Sequence, residues 1–193
     1  MRWHEHRYPV QIVRRVDVAA LAAVDAKTLA EADEAGYLAG NGMFQDLSGC
    51  SWEEARTAVA GERDLITRLE AAGDLEAEAQ AIEDERLAAF DDPDTLWNLD
   101  VGVIGAAIVL SALGAAPVAS CNAGGFGGHH QASHPYVAFY LPVSLAAEVL
   151  ALAEAARVGL AVDSDGLARL YADRDLGPPK FSELAVAGRE GTR

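Results

Sequence analysis

Apolar positions change their spacing part-way along the chain. Up to residue 100 they are thinly spread among charges, at intervals that suit helices lying on a core. From Val101 to Ala147 they run almost without interruption, and that stretch has no Asp, Glu, Lys or Arg. Tyr8 to Val16 predicts a first strand; its alternation is imperfect, and Pro9 restricts it to a strand start or a sheet edge. Asp17 to Ala35 is alanine-rich and predicts a helix stopped by Gly36. A glycine-punctuated loop to Gly49 follows, with Met43, Phe44 and Leu47 expected to fold back on the core. Ser51-Trp52-Glu53-Glu54 is a capping box, opening a helix to about Ala72 with an apolar stripe of Ala58, Leu65, Ile66 and Leu69. Asp74 opens another helix, ending near Phe90 and anchored by Leu75, Ala79, Ile82, Leu87 and Phe90.

Asp92-Pro93 predicts the start of a central helix reaching Leu113, either unbroken or pausing near Asn98. Gly102 and Ala106, four residues apart, would let another backbone approach it. Ala116 to Ser120 and Tyr136 to Leu141 read as strands, the second rich in aromatic and β-branched residues. Ser144 to Val158 reads as a helix with Gly159 as its stop. Leu160 to Val162 and Leu167 to Tyr171 flank Asp163-Ser164-Asp165-Gly166, a hairpin signal. The tail from Asp173 carries Gly177, Pro178 and Pro179, and fraying is expected after Val186. The sum is an α+β fold, with a helical N-terminal half packed on a three- or four-stranded sheet from the C-terminal half. One domain spans 1–193: an acidic, largely helical part over 17–98 and a sheet-containing part over 99–186.

Charge narrows the function classes. The chain has 30 acidic and 15 basic residues, a net charge of −15. That balance disfavours nucleic acid, whose phosphates need clustered Lys and Arg. Between Gly61 and Asp100 there are 13 acidic and 3 basic residues. The neighbouring Glu83, Asp84 and Glu85 do not face one another on a helix, so they read as a solvated face. Gly102, Gly105, Gly114 and Pro117 interrupt the apolar run, which argues against a membrane span, and no apolar leader follows the N-terminal Met-Arg-Trp-His. Two cysteines, Cys50 and Cys121, make no disulfide framework. The expectation is a cytoplasmic protein with reduced thiols.

The reactive side chains of the uncharged stretch fall in one loop between two strands. Cys121, His129 and His134 are the candidate catalytic residues, a thiol with imidazoles to take its proton. Ser120, Asn122, Gly124, Gly125, Phe126, Gly127, Gly128 and His130 are the candidate ligand-binding residues. Four glycines in five positions exceed what a connection needs, and glycine amides can meet a ligand closely. Cys121, His129 and His134 would also suit zinc. The plain alternative is a buried cysteine and histidines whose tips reach solvent. No Walker or dinucleotide fingerprint is present.

A leucine-glycine helix end, a short strand, Ser120-Cys121-Asn122-Ala123-Gly124 and an aromatic return strand resemble the Ser-Ser-Cys-Ser-Gly region of the wybutosine-synthesis methyltransferase family. The step also resembles bacterial proteins with Ser-Cys-Asn-Gly-Gly. The tRNA enzymes' arginine after this glycine is missing here, so the resemblance implies only that Ser120 and Cys121 end a strand at a functional rim. Two functions follow as expectations. One is a protein binding a small polar ligand at the Cys/Gly/His loop, with or without catalysis. The other is a non-catalytic subunit of a bacterial complex that meets a protein partner, in a homo- or hetero-oligomer, through its acidic helices.

Overall fold

The computed structural model describes residues 2–89, 99–127 and 132–191. Its elements run α1 (Ala26–Ala35), α2 (Trp52–Ala71), α3 (Leu75–Ala88), α4 (Ile104–Leu113), β1 (Ala116–Cys121), β2 (Tyr136–Tyr140), α5 (Ala146–Ala156), β3 (Gly159–Val162), β4 (Ala168–Tyr171) and α6 (Gly177–Glu190). The strands form one antiparallel sheet in the order β1-β2-β4-β3. The fold is α+β, with helices mostly N-terminal and strands C-terminal.

A helix apolar on every side must be buried on every side. Accordingly α4 is the core: Ala106, Val109 and Leu110 are fully buried, with α2 and α6 packed against it. One sheet face closes the same core through Val137, Phe139, Leu160 and Leu170. The alternation of β2 turns Tyr136 and Tyr140 to the other face, where Leu29, Ala32 and Phe44 form a smaller cluster with Ala116. β1 is an end strand of the sheet, which tolerates Pro117, and its register shifts between Pro117 and Ala119. The Asn41 side chain donates to the Val118 carbonyl at 2.7 Å along that edge.

Several boundaries differ from those expected. Residues 17–25 are not helical. Asp25 accepts from the Thr28 amide and caps α1, while Ala22 is tied to the Gly166 carbonyl. The Tyr8–Val16 segment forms no strand; it meets the sheet through a bridge from Arg14 to Leu160, with hydrogen bonds from the Tyr8 amide to the Asp173 carbonyl and between residues 13–15 and Leu160. Met43 and Leu87 are exposed, at 64% and 54%, whereas Phe44 is buried. The Asp92-Pro93 start and Phe90 lie outside the described residues.

Gly102 is not in α4: it sits before the helix at a φ of 98°, with the Phe126 ring against it. Close approach to the helix occurs instead at Gly105, beside Glu62 and Ser182. Arg157, in the left-handed region, ends α5; Gly159 already begins β3. The tail is ordered helix through residue 190, because Pro178 and Pro179 occupy a first turn whose amides need no partner, and Phe181 and Ala185 are in the core.

Candidate functional site

β1 ends at Cys121, and Asn122 then turns the chain off the sheet. The Asn122 amide donates to Asp100 Oδ2 at 3.1 Å, and its side chain donates to the Val101 carbonyl at 2.9 Å. Its Oδ1 accepts from the Gly124 amide at 2.8 Å. Asn122 therefore fastens the loop to the segment before α4, and it is buried. Gly124 and Gly127 have φ of 81° and 89°. A Cβ at Gly125 would overlap the Asp175 carboxylate, and one at Gly127 would overlap Ala79. Backbone conformation at Gly124 and Gly127, and packing at Gly125 and Gly127, thus favour glycine. Gly128, His129 and His130 lie outside the described residues.

Phe126 is a core residue, and its ring stacks on Trp3 with centroids 5.7 Å apart. The Trp3 indole donates to the Gly125 carbonyl at 2.9 Å. The N-terminal segment then crosses Asp175, which is 1% exposed. Asp175 accepts from the His6 amide at 2.6 Å and from the Tyr8 hydroxyl at 2.7 Å, and the His6 ring lies 3.4 Å away. Burial, and then the hydrogen bond to Asp175, push the Tyr8 phenol well above its ordinary range; the Cys121 thiolate charge pushes the same way. Cys121 is half-buried and accepts from the Ala123 amide at 3.4 Å.

His134 precedes β2. Its ring meets Tyr171 at 5.5 Å and its Nδ1 pairs with the Ser133 hydroxyl at 3.0 Å. Burial, then the Arg169 charge, lower its pKa. Among the described residues no three His, Cys, Asp or Glu side chains are grouped to hold a metal. Ser120, at the end of β1, lines a separate recess of about 390 Å³ with Tyr136 and Arg169.

A cavity of about 470 Å³ lies between the loop and α3. Asn122, Phe126 and Gly127 form its loop wall; Glu76, Gln80, Glu83 and Arg86 face them from α3, with Asp100 beside Leu99 and Val101. Arg86 donates to the Leu99 carbonyl at 2.6 Å and feels the charges of Asp100, Glu62 and Glu83. Three carboxylates against one guanidinium leave the described lining residues net acidic. Cys121 is not part of it.

Comparison with protein-family models, curated proteins and solved structures returns no match. Function therefore rests on the chain's own geometry. No helix among the described residues is long and apolar enough to cross a membrane.

Glu62 is a buried polar residue that the sequence analysis did not single out. On α2 it lies on the stripe formed by Ala55, Val59, Ile66 and Leu69, and it is 2% exposed. Its Oε1 accepts from the Gly102 and Ile104 amides at 2.9 and 2.8 Å, and its Oε2 from the Gly105 amide at 3.1 Å. α4 has no side-chain cap of its own, so Glu62 caps it from another helix. Burial raises the carboxyl to about 7 against the opposing pull of those amides. An acid inside an otherwise apolar helical stripe was the available signal. Asp175, Tyr8 and Trp3 gave none, because the chain brings them together from its two ends.

Proposed function

We propose that the protein binds a small polar molecule carrying an amine or guanidine group, in the cavity between α3 and the glycine-rich loop. The observation that carries this reading is the lining itself. A floor of loop backbone and the Phe126 ring faces Glu76, Glu83 and Asp100, with Arg86 as the only cation among the described lining residues. A cationic donor entering the cavity would offset the acidic lining, and Gln80 adds a neutral donor and acceptor. The volume suits a small metabolite-sized molecule. The acidic lining also explains how a chain with a net charge of −15 would favour cationic ligands, by raising their local concentration.

The test is a thermal-shift comparison of putrescine and methylguanidine with acetate and glucose at matched ionic strength. The two cations should raise the melting temperature in a saturable way, while acetate and glucose leave it unchanged. No difference among the four would reject the reading. In that case the exposed acids of α2 and α3 would be the surface to examine for a basic protein partner.

A further inference from the structure

A second cavity, of about 560 Å³, lies between α2 and the first turn of α6. Four cations from four places in the chain line it: Arg63 on α2, Arg157 at the end of α5, Arg174 after β4 and Lys180 on α6. The chain has twice as many acids as bases, so four cations at one cavity run against its composition.

Two of the four are already engaged. Arg63 pairs with Glu183 at 2.9 Å, and Arg174 with Asp173 at 3.4 Å. Arg157 and Lys180 have no ion-pair partner among the described residues. Of the four acids among the described lining residues two are engaged, Glu183 by Arg63 and both oxygens of Glu62 by the Ile104 and Gly105 amides. Glu5 and Glu70 remain. The first turn of α6, with its positive dipole end, adds to the same field; it supplies no free proline amides, so the contacts would come from side chains. Between the charges the wall is apolar at Val59, Ile66 and Leu176 and polar at Thr67 and Ser182.

Arg157 adds a second observation, independent of the count of charges. It takes φ 63° and ψ 31°, a helix-ending conformation in which glycine is the unstrained choice. The chain instead keeps a long, exposed cation there, at the edge of the cavity.

We propose that this cavity is a binding site for a small organic anion with an apolar body, its phosphate or carboxylate held by Arg157 and Lys180. Arginine and lysine here have complementary uses: a planar fork for paired oxygens and a mobile point charge.

Calorimetric titration with phenyl phosphate, phenylacetate and inorganic phosphate tests the proposal, with sodium chloride at equal ionic strength as reference. Saturable binding of phenyl phosphate or phenylacetate by the wild type is expected, tighter than that of inorganic phosphate; which of the two binds better identifies the head group. Arg157→Gly and Lys180→Gln should each weaken it about tenfold, the loss of one charge-assisted hydrogen bond. Arg157→Gly should also melt no lower than the wild type, since glycine takes this φ freely. Absence of saturable binding by all three probes would overturn the site. So would wild-type affinity in the Arg157→Gly/Lys180→Gln double variant.

Discussion

The Cα of Gly125 is packed against the carboxylate of Asp175, so closely that a methyl group at Gly125 would occupy the same space. Asp175 cannot readily yield, because the Tyr8 hydroxyl and the His6 amide hold its two oxygens. The glycine therefore joins three distant parts of the chain: the loop after β1, the segment before α6 and the N-terminal strap. Gly125→Ala should lower stability by roughly 1–3 kcal/mol or more, the range for overpacking a filled site. Urea unfolding reads it, and an unchanged midpoint would show that Asp175 swings away without cost.

Glu62 gives the fold a pH dependence of opposite sign to that of most carboxylates. Its native carboxyl is raised to about 7 from an ordinary 4.5, so the native state holds a proton that the unfolded state releases. Its contribution is greatest below the unfolded value and is lost as pH rises from 4.5 through 7. The difference is on the order of 3 kcal/mol, at about 1.4 kcal/mol per unit. Glu62→Gln, which stays neutral throughout, should flatten the fall in stability across that window. Urea midpoints from pH 4.5 to 8 in both proteins check this, and parallel curves would contradict it.

Most of the elements were legible in the sequence because their signals are local. The Ser51–Glu54 capping box forms as its spacing requires, and Gly36 and Gly114 end their helices with left-handed backbone. The Asp163–Gly166 turn makes its hairpin, with Asp163 accepting from the Asp165 and Leu167 amides. Errors arose where a distant contact decides. Ala22 belongs to Gly166 and not to a helix, and the Gly-Pro-Pro before Lys180 opens a helix because Phe181 has a core to enter. The loop glycines of the candidate site were legible as unusual, but their contacts were not. Their nearest neighbours are Asp175, Ala79 and Asn122, none of which the local pattern could name.

Gly102 combines a left-handed backbone with the Phe126 ring, which a Cβ at this position would overlap. Gly102→Leu should cost about 1–3 kcal/mol from overpacking, with backbone strain in addition. The displaced Phe126 would lose its stack with Trp3, so the tryptophan emission should shift to the red in the folded variant. Native-like emission and stability together would mean that the loop absorbs the change.

Cys50 should be the slow thiol. Its Sγ donates to the Leu47 carbonyl at 3.3 Å, and burial pushes its pKa up, so little thiolate exists at neutral pH. In a Cys121→Ser variant, alkylation should run well below the rate of a free thiol and approach it on unfolding. Rapid alkylation of the native variant would place Cys50 in solvent.

Amide chemical-shift mapping during a putrescine titration tests most directly whether the cavity between α3 and the glycine-rich loop binds a cation, as proposed. Saturable shifts should concentrate at Gln80, Asn122 and Gly127, which line that cavity, and should disappear in a Glu76→Gln/Glu83→Gln variant with an unchanged fold. Shifts that never saturate, or that persist unaltered in the double variant, would contradict the account.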